Sequence, residues 1–389
     1  MLVIIQNNSM YGLVTETELS NKNSKEYSLL CQSIETKGLP VKSLEYYRNG
    51  PMRHVLVLND SYIVKMTGFD TTLRKYDDPE IISSKIELNT KTLYREMSKQ
   101  NRVHHLIKKA GMNKMSVAHT LFKGELYNHV FFVYEMVEGV NSHTGNILDL
   151  VRKDEKFLEV IGRDIGNFLT LLHCTDIGFW TCHTNVSDNN HSRMLQPLNK
   201  FLSTKDKCAL GNVMECSEEL KSEIPKIKEM SKKILNDEEF QIHAKGYHNS
   251  LVHNEWFTGH FLIDQDGLKG ALDWDVSCID INGLYDLFVF YTFQILEYSL
   301  FSGSELSNMA GKDIDAWDGK STNQMEKLWN CIVDNYIDVT TNEKISDHML
   351  NIIQILSGVM ALNSRWRGHK QYKLPRNDLI IEYLMSKEF

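Results

Sequence analysis

The sequence predicts an α+β chain of two lobes, a strand-rich first third followed by a helical remainder. Three observations carry that expectation. "HVLVL" and "SYIVKM" are β-rich runs separated by Asn59-Asp60, a two-residue turn of the kind hairpins favour. From about residue 140 the apolar positions recur at helical spacing, most clearly in "KFLEVIGRDIGNFLTLLHCTD". Within 251–275 a short apolar strand, a loop dense in ionisable side chains, a hairpin and two carboxylates around a tryptophan follow one another. At 389 residues the chain exceeds one simple core, which favours two or three domains or one two-lobed domain.

Along the chain, the first forty residues read as an extension, a loosely specified strand and then a helix in "TETELSNKNSKEYSLLCQSIETKG". Gly50-Pro51 opens the first hairpin. "FDTTLRKYDDPEII" reads as an exposed loop, because Asp-Pro and dense charge break any periodicity. "NTKTLYREMSKQNRVHHLIKKAG" reads as a helix stopping at Gly111. "SVAHTLFKGELYNHVFFVYEMVEG" supplies two strands, the second nearly all apolar and therefore central, with Gly139 ending it. In the next helix Phe157, Ile161, Ile165, Phe168, Leu169 and Leu172 share one face. Residues 190–242, with "EELKSEIPKIKEMSKKILNDEEF", read as polar helices with a solvated face. "LYDLFVFYTFQILEYSLF" reads as one apolar helix, and the tail from 323 as further helices. The lobe boundary falls at 137/138, giving lobes 1–137 (with 1–40 an extension) and 138–389, and a cleft between them is the natural ligand site.

Composition narrows the function classes. Hydrophobic residues at 42% and charged residues at 24% describe a folded globular chain rather than a disordered one. A net charge of -8 argues against a nucleic-acid partner. The seven cysteines are odd in number, scattered and without a CxxC pair; they read as reduced thiols of a cytoplasmic protein. No stretch approaches the roughly 18 apolar residues of a membrane span, and "MLVIIQNNSM" lacks the basic start of a signal peptide. No membrane partner is expected.

Phosphoryl transfer requires a cation near the phosphates, a metal held by carboxylates, and a base beside the acceptor hydroxyl. The order of residues here supplies all three. Lys65 lies in "YIVKM" and Glu96 in the helical "LYREM". His253, Glu255 and His260 lie in "LVHNEWFTGHFLI", Asp273 and Asp275 flank Trp274 in "GALDWDV", and Asp286 follows in "LYDLF". Plainer readings stand beside these: Lys65 as an exposed strand residue, Glu96 as a charged helix residue, His253 as a structural hydrogen-bonder, and the carboxylate pair as a hairpin closer.

These stretches resemble the aminoglycoside phosphotransferase and choline kinase group, whose pattern is H-G-D-x-x-x-x-N, a hairpin, a hydrophobic-hydrophobic-D-W-[DE] motif and then Y-D-L. The likeness runs from about residue 45 to 290 and is specific over 251–287; "HVFFVYEMVEG" and "IGNFLTLLHCTD" resemble the family's hinge strand and its helix ending in Leu-His. The resemblance implies a bilobal protein-kinase-like fold, with a small β-rich nucleotide-binding N-lobe and a larger helical C-lobe. It implies transfer of the γ-phosphate of ATP or GTP to a hydroxyl of a small molecule or metabolite. It further implies that Asp273 holds Mg2+, with Asp275 supporting. Lys65 would contact the phosphates, oriented by Glu96; Glu135 and Val137 would offer backbone groups to the base; Asp286 would brace the catalytic loop. No G-x-G-x-x-G stands near the first hairpin.

Two positions depart from the pattern. Glu255 stands where the family has its Asp base, and His260 where it has a magnesium-binding Asn. Glu255 can still accept a hydroxyl proton, but its extra methylene moves the carboxylate by about 1 Å, which can cost on the order of a hundredfold in rate. Imidazole is a poor magnesium ligand and a better one for Mn2+, iron or zinc. For His260, then, the second metal site is lost, another metal is used, or the ring contacts substrate or phosphate. Two alternatives stand beside the small-molecule kinase: a kinase of a peptide or protein Ser/Thr in natural-product maturation, and a nucleotide-binding pseudokinase.

Overall fold

The computed structural model describes residues 16–50, 53–68, 79–142, 144–175, 193–203, 222–245, 250–254, 260–274, 277–280, 283–296, 319–363 and 377–389. The chain divides into two compact units, Met1–Glu138 with Leu272–Asp275, and Gly139–Ala271 with Val276–Phe389. The segment 272–275 thus belongs to the first unit although the chain on either side of it belongs to the second. Among the described residues no helix is long and apolar enough to cross a membrane.

The first unit is built on an antiparallel sheet of β1 (Leu44–Gly50), β2 (Arg53–Leu58), β3 (Tyr62–Thr67), β4 (Thr120–Leu126) and β5 (His129–Glu135), in the order β1-β2-β3-β5-β4. The β2–β3 turn forms at Asn59-Asp60 as expected, with φ 52° and 53°. Asn and Asp are among the few side chains that accept this left-handed backbone. Ser61 N–H closes the turn on the Leu58 carbonyl at 3.1 Å, and the ladder ends at Leu58 opposite Tyr62, so the loop holds three residues rather than two. The sequence reading did not anticipate β1; "LEYYRNG" is half polar, as an edge strand is.

Period-two alternation gives this sheet two apolar faces. Leu56, Leu58, Val64, Met66, Phe131 and Val133 pack with Leu19, Leu30 and Ile34 of α1 (Glu16–Ser20) and α2 (Lys25–Glu35). Val130, Phe132 and Tyr134 pack with Leu93, Tyr94 and Met97 of α3 (Pro79–Lys109). Helix α3 starts ten residues before the expected Asn89, so "PEII" is helical and not loop. Proline fits a first helical turn, where its missing N–H would have no partner. The expected stop at Gly111 is present: its φ is 72°, its N–H donates to Lys108 at 3.1 Å, and Met112 N–H donates to Ile107 at 3.2 Å, which closes the last carbonyls. The strand expected before residue 16 and the loop 69–78 lie outside the described residues.

The second unit holds a three-stranded sheet in the order β6-β8-β9, from β6 (Val140–Asn141), β8 (Phe261–Asp264) and β9 (Gly267–Ala271), and an antiparallel pair of β7 (Ser250–Val252) and β10 (Cys278–Asp280). The hairpin expected after the ionisable loop is β8–β9. The described helices are α4 (Thr144–Lys153), α5 (Phe157–His173), α6 (Leu195–Ser203), α7 (Ile224–Asn236), α8 (Glu238–Ala244), α9 (Leu284–Phe290), α10 (Gly319–Asp334), α11 (Asp347–Asn363) and α12 (Asn377–Met385). The polar helices expected around 224–244 are α7 and α8, separated at Asp237, which is extended and whose side chain caps α8 by accepting from Phe240 N–H at 2.9 Å. One expectation needs correcting. The apolar run after residue 284 is not a uniform α-helix, since α9 continues as a π-helical turn over Tyr291–Leu296.

Helix α5 buries the expected face, Phe157, Ile161, Ile165, Phe168, Leu169 and Leu172. It also presents Gly162 and Gly166, four residues apart, to the backbone of α10. A methyl on Gly166 would stand 2.5 Å from the Ile332 carbonyl oxygen. Gly166→Ala is therefore expected to lower the urea midpoint. Overpacking of about 1–3 kcal/mol outweighs the helix-propensity gain of just under 1 kcal/mol. An unchanged midpoint would show that the two helices can part at no cost.

Candidate active site

Strand register creates the first half of the site. Val55 faces Lys65 and Arg53 faces Thr67 across the β2–β3 ladder, so these four side chains share the face turned to α3. On α3, Leu93, Glu96 and Gln100 form one stripe at helical spacing. Lys65 Nζ meets Glu96 Oε1 at 2.5 Å, and Arg53 Nη1 pairs with Glu96 Oε2. Gln100 Nε2 donates to Oε1 at 3.1 Å. Glu96 is fully buried. A carboxylate survives such burial only when its charge is matched and its lone pairs are filled, and the two cations and the amide do both. Lys65 Nζ also lies 5.9 Å from the centre of the Tyr134 ring, within cation–π range. Burial first, and the Glu96 charge second, push the Tyr134 phenol well above its ordinary pKa, so it stays neutral.

Asp273 joins this group. Its φ is 62°, and its Oδ1 lies 3.9 Å from Arg53 Nη1 with the side chain 35% exposed. The next residue, Trp274, is fully buried, and its carbonyl accepts from the buried Lys99 Nζ at 3.3 Å. Lys99 and Arg53 thereby fasten 272–275 to the first unit. At the end of β5, Glu135 N–H donates to His119 at 3.1 Å and Met136 N–H to Ser61 at 2.9 Å; Val137 follows directly.

The second unit gathers the other candidates. Asp286, in the first turn of α9, is fully buried. Its carboxylate accepts from His253 N–H at 2.8 Å and Asn254 N–H at 2.9 Å, fixing the chain as it leaves β7. His173 Nε2 lies 3.1 Å from the same carboxylate and its Nδ1 2.9 Å from the Tyr336 hydroxyl. Burial, followed by the charge of Asp338, raises the Tyr336 phenol well above its ordinary pKa, so the hydroxyl stays protonated beside His173. Ser250 Oγ donates to the His173 carbonyl at 3.0 Å. The buried His253 ring lies 5.7 Å from the His260 ring, tilted by 56°.

The structure therefore brings Lys65, Glu96 and Asp273 together in the first unit, and His253, His260 and Asp286 within the second. Glu255 and Asp275 lie outside the described residues. Sequence reasoning missed Arg53, Lys99 and Gln100, and used His173 only as the end of a Leu-His helix. The one local signal for Arg53 was alternation: it stands two residues before Val55 and so shares a face with Lys65.

Residues 61–297 match the family model "Phosphotransferase enzyme family" (APH). The chain is similar to the GDP and kanamycin complex of APH(2")-IIia, with a TM-score of 0.51 and 13% identity over 93% of this chain and 98% of that one. It is also similar to the GDP complex of wild-type aminoglycoside 2'-phosphotransferase-IIIa, with a TM-score of 0.50 and 13% identity over 93% of this chain and 98% of that one. No curated protein matches the sequence. At such identity the two structures establish the fold alone, an antiparallel sheet lobe and a helical lobe of the protein-kinase-like kind.

Proposed function

The chain belongs to the phosphotransferase enzyme family, whose members take an alcohol group as acceptor, and on that premise we propose that it moves the γ-phosphate of ATP or GTP to a hydroxyl of a small molecule or metabolite. The observation that supports this most is the buried Glu96, which holds both Lys65 and Arg53, with Arg53 Nη1 3.9 Å from Asp273 Oδ1 in the same compact unit. A cation fixed by a buried carboxylate next to a partly exposed carboxylate suits a metal-loaded triphosphate.

In this reading Lys65 neutralises the phosphates, and Glu96 holds its ammonium at one spot. With the amides of Glu135 and Met136 engaged in the sheet, the base edge is assigned to the Glu135 carbonyl and the Val137 N–H. Asp273 offers the hard oxygen donor that Mg2+ prefers, and Mg2+ is commonly held by one or two carboxylates plus phosphate oxygens; Asp275 would be the second. Bound there, the ion would neutralise charge developing on the β- and γ-phosphates. The acceptor oxygen forms a bond to the γ-phosphorus as the bond to the bridging oxygen breaks, and the acceptor proton passes to Glu255. Asp286 positions the start of that loop through the His253 and Asn254 amides. His253 acts as a positioning group beside His260, whose imidazole favours Mn2+ at any second metal position.

The reading is tested by thermal-shift titration with ATP and GTP, each with Mg2+ or Mn2+, followed by transfer of γ-labelled phosphate to pools of hydroxylated metabolites and aminoglycosides. Both similar structures hold GDP, so the guanine nucleotide is tried beside the adenine one. Nucleotide at a hundredfold excess over its Kd should add about 2.7 kcal/mol, a rise of several degrees, only when metal is present. No shift with any nucleotide–metal pair would sink the reading. A shift without transfer to any acceptor would move it to a nucleotide-binding pseudokinase.

A further inference from the structure

We propose that Arg53 is a second phosphate-binding cation of the nucleotide site, standing opposite Lys65 on the same buried carboxylate. The inference rests on the nucleotide reading above and goes beyond the family match, which begins at residue 61. Four features carry it. Register places Arg53 on the Lys65 face of the sheet, turned to α3. Its guanidinium pairs with Glu96 Oε2 while Lys65 takes Oε1, so each oxygen of one carboxylate orders one cation. Its side chain is only 13% exposed, and its Nη1 lies 3.9 Å from Asp273 Oδ1. The guanidinium therefore stands between the carboxylate that orients Lys65 and the carboxylate assigned to the metal.

Charge explains the use of such an arrangement. Two cations and two carboxylates leave the cluster formally balanced. A metal ion on Asp273 takes over that carboxylate, and the arriving triphosphate brings net negative charge beside it. Arg53 then faces phosphate oxygens beside Lys65, as the second cation of the site. Its planar fork carries five N–H donors, so one can stay on Glu96 while others reach the phosphate. The first hairpin has no G-x-G-x-x-G to cradle phosphates with backbone amides, and a guanidinium from the first residue of β2 supplies donors in their place.

The test compares wild type, Arg53→Gln and Arg53→Lys in the full-length chain. Affinity for Mg–ATP and Mg–GTP is measured by calorimetry, and affinity for adenosine and guanosine by ligand-observed NMR. Arg53→Gln should weaken the preferred triphosphate by about ten- to 150-fold, the usual worth of a charged hydrogen bond, and leave its nucleoside unchanged. Arg53→Lys, which keeps a charge but not the fork, should lose about threefold, and it carries the test alone if the glutamine variant fails to fold. Unchanged triphosphate affinity in both variants overturns the proposal. So does an equal loss for nucleoside and triphosphate, since that marks a structural role. A wild type that binds neither ligand class fails at the earlier step, the nucleotide site itself.

Discussion

Asp273→Asn is expected to lower phosphoryl transfer by about a thousandfold, a barrier increase of about 4 kcal/mol, with little change in stability. The asymmetry has a physical basis. Asp273 sits at φ 62°, and asparagine is one of the few residues that accept this backbone as readily as aspartate. An alanine there would confound strain with chemistry. The side chain is 35% exposed and 3.9 Å from Arg53, so loss of its charge disturbs a contact that water partly screens. What disappears is the anionic oxygen that a magnesium ion requires. Steady-state turnover, or slow nucleotide hydrolysis where no acceptor is at hand, reads the first effect, and urea unfolding reads the second. Activity near the wild-type level would overturn the proposed metal role of Asp273.

Asp286→Ala should act in the opposite way, destabilising the second unit by about 3–5 kcal/mol. The carboxylate is fully buried and receives the amides of His253 and Asn254 together with His173 Nε2. Truncation leaves those donors in the interior without an acceptor, and each unsatisfied group costs about 1–3 kcal/mol. Asp286→Asn should be milder: its single carbonyl oxygen still accepts, while its NH2 confronts another N–H. Urea midpoints of the two variants, read beside turnover, give the order wild type, asparagine, alanine. A stable alanine variant with normal turnover would mean that the chain leaving β7 is held by other means.

Much of this architecture was legible because it is local. Asn59-Asp60, Gly111, the β8–β9 hairpin and the buried stripe of α5 each depend on a few neighbouring residues, whose turn chemistry or periodicity is written within about one window. Where the reading fell short, packing had overruled or supplemented the local pattern. "PEII" looks like loop until α3 is seen to begin at Pro79; β1 looks too polar for a strand until β2 pairs with it.

The sequence by itself determined the lobed α+β class and the order of the candidate site residues, with Lys65, Glu96, Asp273 and Asp286 among them. Those depend on motif spacing and on backbone preferences that no distant contact needs to confirm. Only the tertiary structure decided that Arg53 and Lys65 share Glu96, and that 272–275 sits with the first unit. Glu96 lies 43 positions from Arg53, and Trp274 lies 175 from Lys99. A side chain's partner at such separations is set by strand register and by the burial of one charge that must be matched, and neither is encoded in any short stretch of sequence.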